Sequence, residues 1–161
     1  MLGTSNEIRN PGLRALPPGV ERYFVKGGGL SVIEVFPEDK IEIINDDGKQ
    51  ISEIIVFNSN GKPDLSILNL KENANADFSK RAIAKDEKIS NIFKKRNLDL
   101  QKAKSSIIFD EDCLMGDKIT LSSKDKCFVL IAAPGSPLNV HEQNPPTDLT
   151  VFINRAKFSE T

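Results

Sequence analysis

The sequence predicts a mainly β fold, a small closed barrel or sandwich of about eight short strands with one helical insertion. Three observations carry that expectation. Short runs rich in β-branched and aromatic residues, each bounded by Gly, Pro, Asn or Asp, fill residues 21–58 and return after residue 104. Between them, from Asp77 to about Asn97, the apolar spacing changes to that of a helix face. The 161 residues are 39% hydrophobic and 28% charged, enough for one core and too few for two.

Taken in order, residues 1–20 hold Pro11, Gly12, Pro17, Pro18 and Gly19 without periodicity and are expected to form an extended N-terminal arm. The single β-rich domain is expected over 21–156, with 157–161 as a C-terminal tail or linker. Its first strands are "RYFVK", "LSVIEVF", "KIEIIN" and "QISEIIVF". In "KIEIIN", Ile41 and Ile43 share one face and Lys40, Glu42 and Ile44 the other, the alternation of a half-buried strand. "NDDGK" supplies Asp-Gly turn chemistry, so Ile41 to Phe57 is expected to be a hairpin. The three adjacent glycines of "KGGGL" match no phosphate-binding fingerprint and are read as a flexible connection.

The helical insertion, about 77–97, places Phe78, Ala82, Ile89, Ile92 and Phe93 on one approximate face across one or two helices. Asp77 and Asp86 are the candidate N-caps, and Lys94, Lys95 and Arg96, the chain's one basic run, suit a helix C-terminal end. The β pattern resumes with "SSIIFD", "DKITLSS", "CFVLIAAP" and "DLTVFINR". "SSKDK" joins the middle pair at hairpin length, so Asp117 to Ala133 is expected to be a second β unit.

Composition narrows the function. Twenty-two basic residues against 23 acidic give a net charge of −1, which argues against nucleic acid or an anionic membrane as partner. No apolar stretch of secretory or membrane-spanning type is present, and a cytoplasmic location is expected. Cys113 and Cys127 lack metal or redox spacing and are expected to be reduced core residues.

The candidate catalytic residues are His141, Glu142 and Asp148. His141 is the only histidine, and it rides mid-way along a proline-stiffened crossing between Pro134 and Thr147. With Asp148 and either cysteine it forms a Cys-His-Asp set on paper, though no nucleophile signature surrounds either thiol. No metal site is expected. "FDEDC" sets three carboxylates beside a thiol without the spacing of a calcium loop and is taken as a turn. Glu34, Glu42 and Glu53 fall in strands, where an interior acid or base and simple solvent-facing alternation remain alternatives.

The order of the pieces "KIEIINDDGKQISEIIVFN", "NIFKKRNLDLQKAKSSIIF" and "GDKITLSSKDKCFVLIAAPG" resembles the N-terminal urea carboxylase-associated-like β domain of aminomethyltransferase multidomain proteins, which precedes a glycine cleavage T-protein-like module. The resemblance implies a barrel-like domain and attachment to one-carbon metabolism. It implies no cofactor in this chain, tetrahydrofolate being held by a folate-binding aminomethyltransferase partner module in cis or in trans. The His and Cys cluster of the stand-alone members is missing from "NIFKKRNLDLQKAKSSIIF". The expectation is therefore an accessory or substrate-gating domain, not catalytic alone. The alternative is a small ligand-binding or hydrolytic barrel acting on a guanidino, urea-like or amine compound, with His141, Glu142 or Asp148 at its mouth. A structural oligomerisation domain is a third reading.

Overall fold

The computed structural model describes residues 17–48, 51–109, 112–134 and 147–156. Its eight strands are β1 (Val20–Val25), β2 (Leu30–Val35), β3 (Lys40–Asn45), β4 (Ser52–Asn58), β5 (Ser106–Ile108), β6 (Lys118–Ser122), β7 (Cys127–Ala132) and β8 (Leu149–Asn154). Two helices, α1 (Asp77–Ala84) and α2 (Glu87–Lys95), and a 3₁₀ turn at Leu65–Leu68 lie between β4 and β5.

The strands form two four-stranded antiparallel sheets, ordered β1-β8-β3-β6 and β2-β7-β4-β5. The fold is thus a sandwich, and the closed barrel among the expectations is not formed. Every connection except β4 to β5 passes from one sheet to the other, which is the connectivity of a jelly roll. Neither expected hairpin survives. β3 pairs β6 and β8 while β4 pairs β5 and β7, and β6 and β7 likewise lie in different sheets. Turn chemistry reverses the chain but does not choose the partner. Burial chooses it here, because β3 alternates buried and partly exposed residues whereas Ser52–Phe57 of β4 is buried on both faces.

The two inner faces build the main core from Val25, Ile41, Ile43, Val151 and Ile153 of one sheet and Ile33, Ile54, Val56, Val129 and Ile131 of the other. A second core lies on the outer face of the β2-β7-β4-β5 sheet, where Ile55, Phe57, Leu130 and Ala132 meet Ile83, Phe93 and Leu98 of the helical insertion. Phe57 and Phe93 meet edge to face, with centroids 5.7 Å apart. Helices cover this sheet and leave the other sheet's outer face uncovered by any described element.

The two helices fall within the expected 77–97 span, with one difference at a cap. Asp86 caps α2 by accepting from the Ile89 amide at 3.1 Å, as expected. Asp77 is instead the first residue of α1, and the cap position is Ala76 in the left-handed region (φ 59°). The missing cap comes from β4. Buried Glu53 accepts from the Ser79 amide at 3.0 Å and from the Ser79 hydroxyl. Glu53 is therefore a helix cap, and Glu34 and Glu42 face outward, 3.6 Å from Lys126 and 3.5 Å from Lys118. Solvent-facing alternation thus explains Glu34 and Glu42, while Glu53 points inward to the helix it caps.

Candidate functional site

The antiparallel registers bring the ends of β1, β3, β5 and β7 and the starts of β2, β4, β6 and β8 to one end of the sandwich. The connections at this end carry Asp46, Asp112, Cys113, Asp117 and Asp148. The opposite end is structural. There Arg155 donates to Glu21 at 2.8 and 2.9 Å and to Asp39 at 2.8 Å, tying β8 to β1 and to the turn before β3.

Two turns interlock beside β3 and β6. The Asn45 amide donates to the Asp117 carbonyl and the Gly116 amide to the Asn45 carbonyl, both at 2.8 Å. Asn45 Nδ2 donates to the Cys113 thiol at 3.0 Å, and Asp117 Oδ2 accepts from the Leu114 amide at 2.8 Å. Gly48, at φ 76°, fits against this turn so closely that a Cβ would lie 2.7 Å from the Met115 nitrogen and 2.9 Å from the Cys113 carbonyl oxygen. Asp46 accepts from the Thr150 hydroxyl at 2.8 Å, which fixes the first turn to β8.

An open cleft of about 420 Å³ lies here, lined by Phe109, Asp112, Cys113, Asp117, Lys118 and Ile119. Phe109 holds φ at 63°, a conformation disfavoured for an aromatic residue, and such strain is common where a side chain must be aimed at a ligand. Leu114 and Met115, 71% and 76% exposed, extend apolar surface beside the acidic cleft. Among the described residues no three His, Cys, Asp or Glu side chains converge to hold a metal ion. The lining sets the Asp112 and Asp117 carboxylates and the aromatic Phe109 beside the Lys118 ammonium, so the cleft offers both signs of charge next to an apolar surface.

Of the residues expected to carry catalysis, His141 and Glu142 lie outside the described residues. Asp148 is described and accepts from the Gly27 amide at 2.8 Å, while the Gly28 amide donates to the Ala133 carbonyl at 2.7 Å. The "KGGGL" connection thus fastens both flanks of the crossing that holds His141. The cysteines differ from the expectation of two core thiols. Cys127 is buried and its thiol is pushed up by desolvation, whereas Cys113 is half-buried at the cleft; neither forms a disulfide among the described residues. Sequence reasoning passed over Phe109, Asp112 and Asp117 because "FDEDC" and "GDK" look like ordinary turns. The signal present was the density of carboxylates beside an aromatic residue.

No family model matches the chain. Over 153 residues it is 30% identical to the trimethylamine-oxide aldolase of Ruegeria pomeroyi, an alignment covering 92% of this chain and 19% of that protein. The chain thus spans about a fifth of the length of the curated relative it matches. Among solved structures it is similar to a DUF1989 family protein from Silicibacter pomeroyi, with a TM-score of 0.51 and 9% identity over 89% of this chain and 85% of the other. That likeness supports the fold.

These findings correct the resemblance to the urea carboxylase-associated-like domain of aminomethyltransferases, because the matched proteins carry other names and no family model places the chain there. The accessory role in folate-dependent one-carbon transfer falls with it, and tetrahydrofolate and a folate-binding partner lose the basis on which they were inferred. The physical reason lies in the pieces themselves. Both strand-turn-strand units were taken as intact blocks, whereas each is divided between the two sheets. Among the described residues no helix is long and apolar enough to cross a membrane.

Proposed function

We propose that this chain is a small-ligand-binding β domain that takes a compact amine-derived compound with a positively charged nitrogen in the cleft beside β6. The observation that carries the reading is that an aromatic residue, Phe109, and two acidic residues, Asp112 and Asp117, line one open cleft with Lys118. A substituted ammonium has no strong need for hydrogen-bond donors and is held by a ring face and diffuse negative charge. The reading is supported by the name of the matched relative, a trimethylamine-oxide aldolase, since trimethylamine oxide carries a formally positive nitrogen within a molecule that is neutral overall. It continues the amine-compound alternative drawn from the sequence, with the cleft residues replacing His141, Glu142 and Asp148 as the binding set.

The test is a titration of the full chain with trimethylamine oxide, trimethylammonium, guanidinium and urea, followed by amide chemical shifts. Saturable shifts confined to residues 46–48 and 109–119 are expected for the first two, with urea weakest. Asp112→Asn and Phe109→Leu should each weaken binding about tenfold, the scale of one charge or cation–π contact in a partly dry site. Absence of saturable shifts, or shifts elsewhere on the molecule, would overturn the reading.

A further inference from the structure

The helical insertion carries an electrostatic surplus that the fold uses only in part. Residues 77–104 contain nine Lys and Arg against four acidic residues, a net +5 within a chain whose total is −1, which leaves −6 for the rest. Among the described residues, none of these nine bases forms an ion pair with a carboxylate. The four acids are already engaged: Asp77 and Glu87 occupy first helical turns, Asp86 caps α2, and Asp99 lies 3.8 Å from Lys62 outside the set.

Intramolecular roles account for part of the surplus. Arg81, Lys94 and Lys95 occupy last helical turns, where a cation complements the helix dipole, and Arg96 stacks over Phe128 at 5.1 Å. Lys88 is different. It is exposed in the first turn of α2, where the dipole disfavours a cation. Four residues on, Ile92 is 45% exposed, although α2 already contributes Phe93 to the second core. Helical spacing places Lys88 and Lys95 beside Ile92, at i−4 and i+3.

From this arrangement we infer that the exposed face of α2 is a docking surface for a protein partner with an acidic patch around an apolar pocket, Ile92 being the anchor and the lysines the steering charges. An apolar centre within a charged rim is the make-up of a protein interface. A phosphate backbone would use the lysines but offers nothing to Ile92, so nucleic acid is the disfavoured occupant.

The experiment uses the full chain and three labelled probes: a 20-residue Asp/Glu-rich peptide with leucines at helical spacing, the same peptide with serines for leucines, and a 20-base-pair DNA duplex. Fluorescence anisotropy at low salt should show the leucine peptide binding at least fivefold more tightly than the other two, weakening as salt rises. Ile92→Ser should erase the leucine preference. Lys88→Glu with Lys95→Glu should abolish binding to the acidic peptide and transfer it to a lysine-substituted version, a gain that a misfolded variant cannot give. Binding that ignores leucine and Ile92, a duplex bound as tightly as the peptide, or no binding at low salt would each overturn the inference.

Discussion

Arg155 ties three separate parts of the fold together. Its side chain is 17% exposed, and the guanidinium reaches Glu21, Asp39 and the Glu34 carbonyl at once. The hydrogen bond from Arg155 holds Glu21 below the usual carboxylate range. Burial alone would raise Asp39, but the amides of Ala156 and Phe36 together with Arg155 leave it lowered as well. The sign of the pH dependence follows. Both acids bind protons more weakly folded than unfolded, so their contribution is complete above the ordinary values of 4.5 and 3.8 and is lost as pH falls through the depressed folded values. Stability to denaturant should therefore decline below about pH 4.5. Arg155→Lys, which keeps a charge but loses the fork, should cost about 2 kcal/mol at neutral pH and shrink that acid-sensitive component. Tyr23 points the same way at the alkaline end, pushed up to about 12 by burial and by its bond to Glu21, so stability should fall again as pH rises from 10 towards 12.

At the scale of elements, the strands were legible and their partners were not. "KIEIIN" displayed its alternation openly, and "NDDGK" truly turns the chain. The choice between pairing with the next strand and crossing to the facing sheet depends on burial on the second face of β4, and that exists only once the helices are in place. "ISEIIVF" did carry the clue as a continuous apolar run broken only by Ser52 and Glu53. The α1 cap was illegible for a similar reason, since Glu53 reaches Ser79 across 26 residues. Gly61 is a case where a glycine is required. It sits at φ 81°, and a Cβ there would lie 2.0 Å from the Asn97 carbonyl oxygen, while the Asp99 amide donates to the Gly61 carbonyl at 2.8 Å. Gly61→Ala should lose roughly 2 kcal/mol or more, read as a lower denaturant midpoint with unchanged slope.

At the scale of the molecule, the jelly-roll connectivity gathers acidic turns at one end of the sandwich, and the insertion gathers basic residues on one side. Composition had reported only the sum of the two, and a total near zero concealed both. The candidate site was illegible in the same way. Its lining comes from one stretch, residues 109–119, but the sequence does not show that Phe109, Asp112, Cys113 and Asp117 face one opening, which the turn between β5 and β6 creates as it crosses from one sheet to the other. The same long-range wiring governs how the protein opens. α1 is only eight residues long, has no local side-chain cap, and receives its cap from the start of a buried strand. A segment that short has negligible helicity alone, so it should not fray independently of the β4 sheet. Hydrogen exchange of the α1 amides should therefore follow global unfolding, and Glu53→Gln should detach it, accelerating exchange in α1 well beyond any change in β7. The carboxylate of Glu53 thus makes two layers of the protein a single cooperative unit.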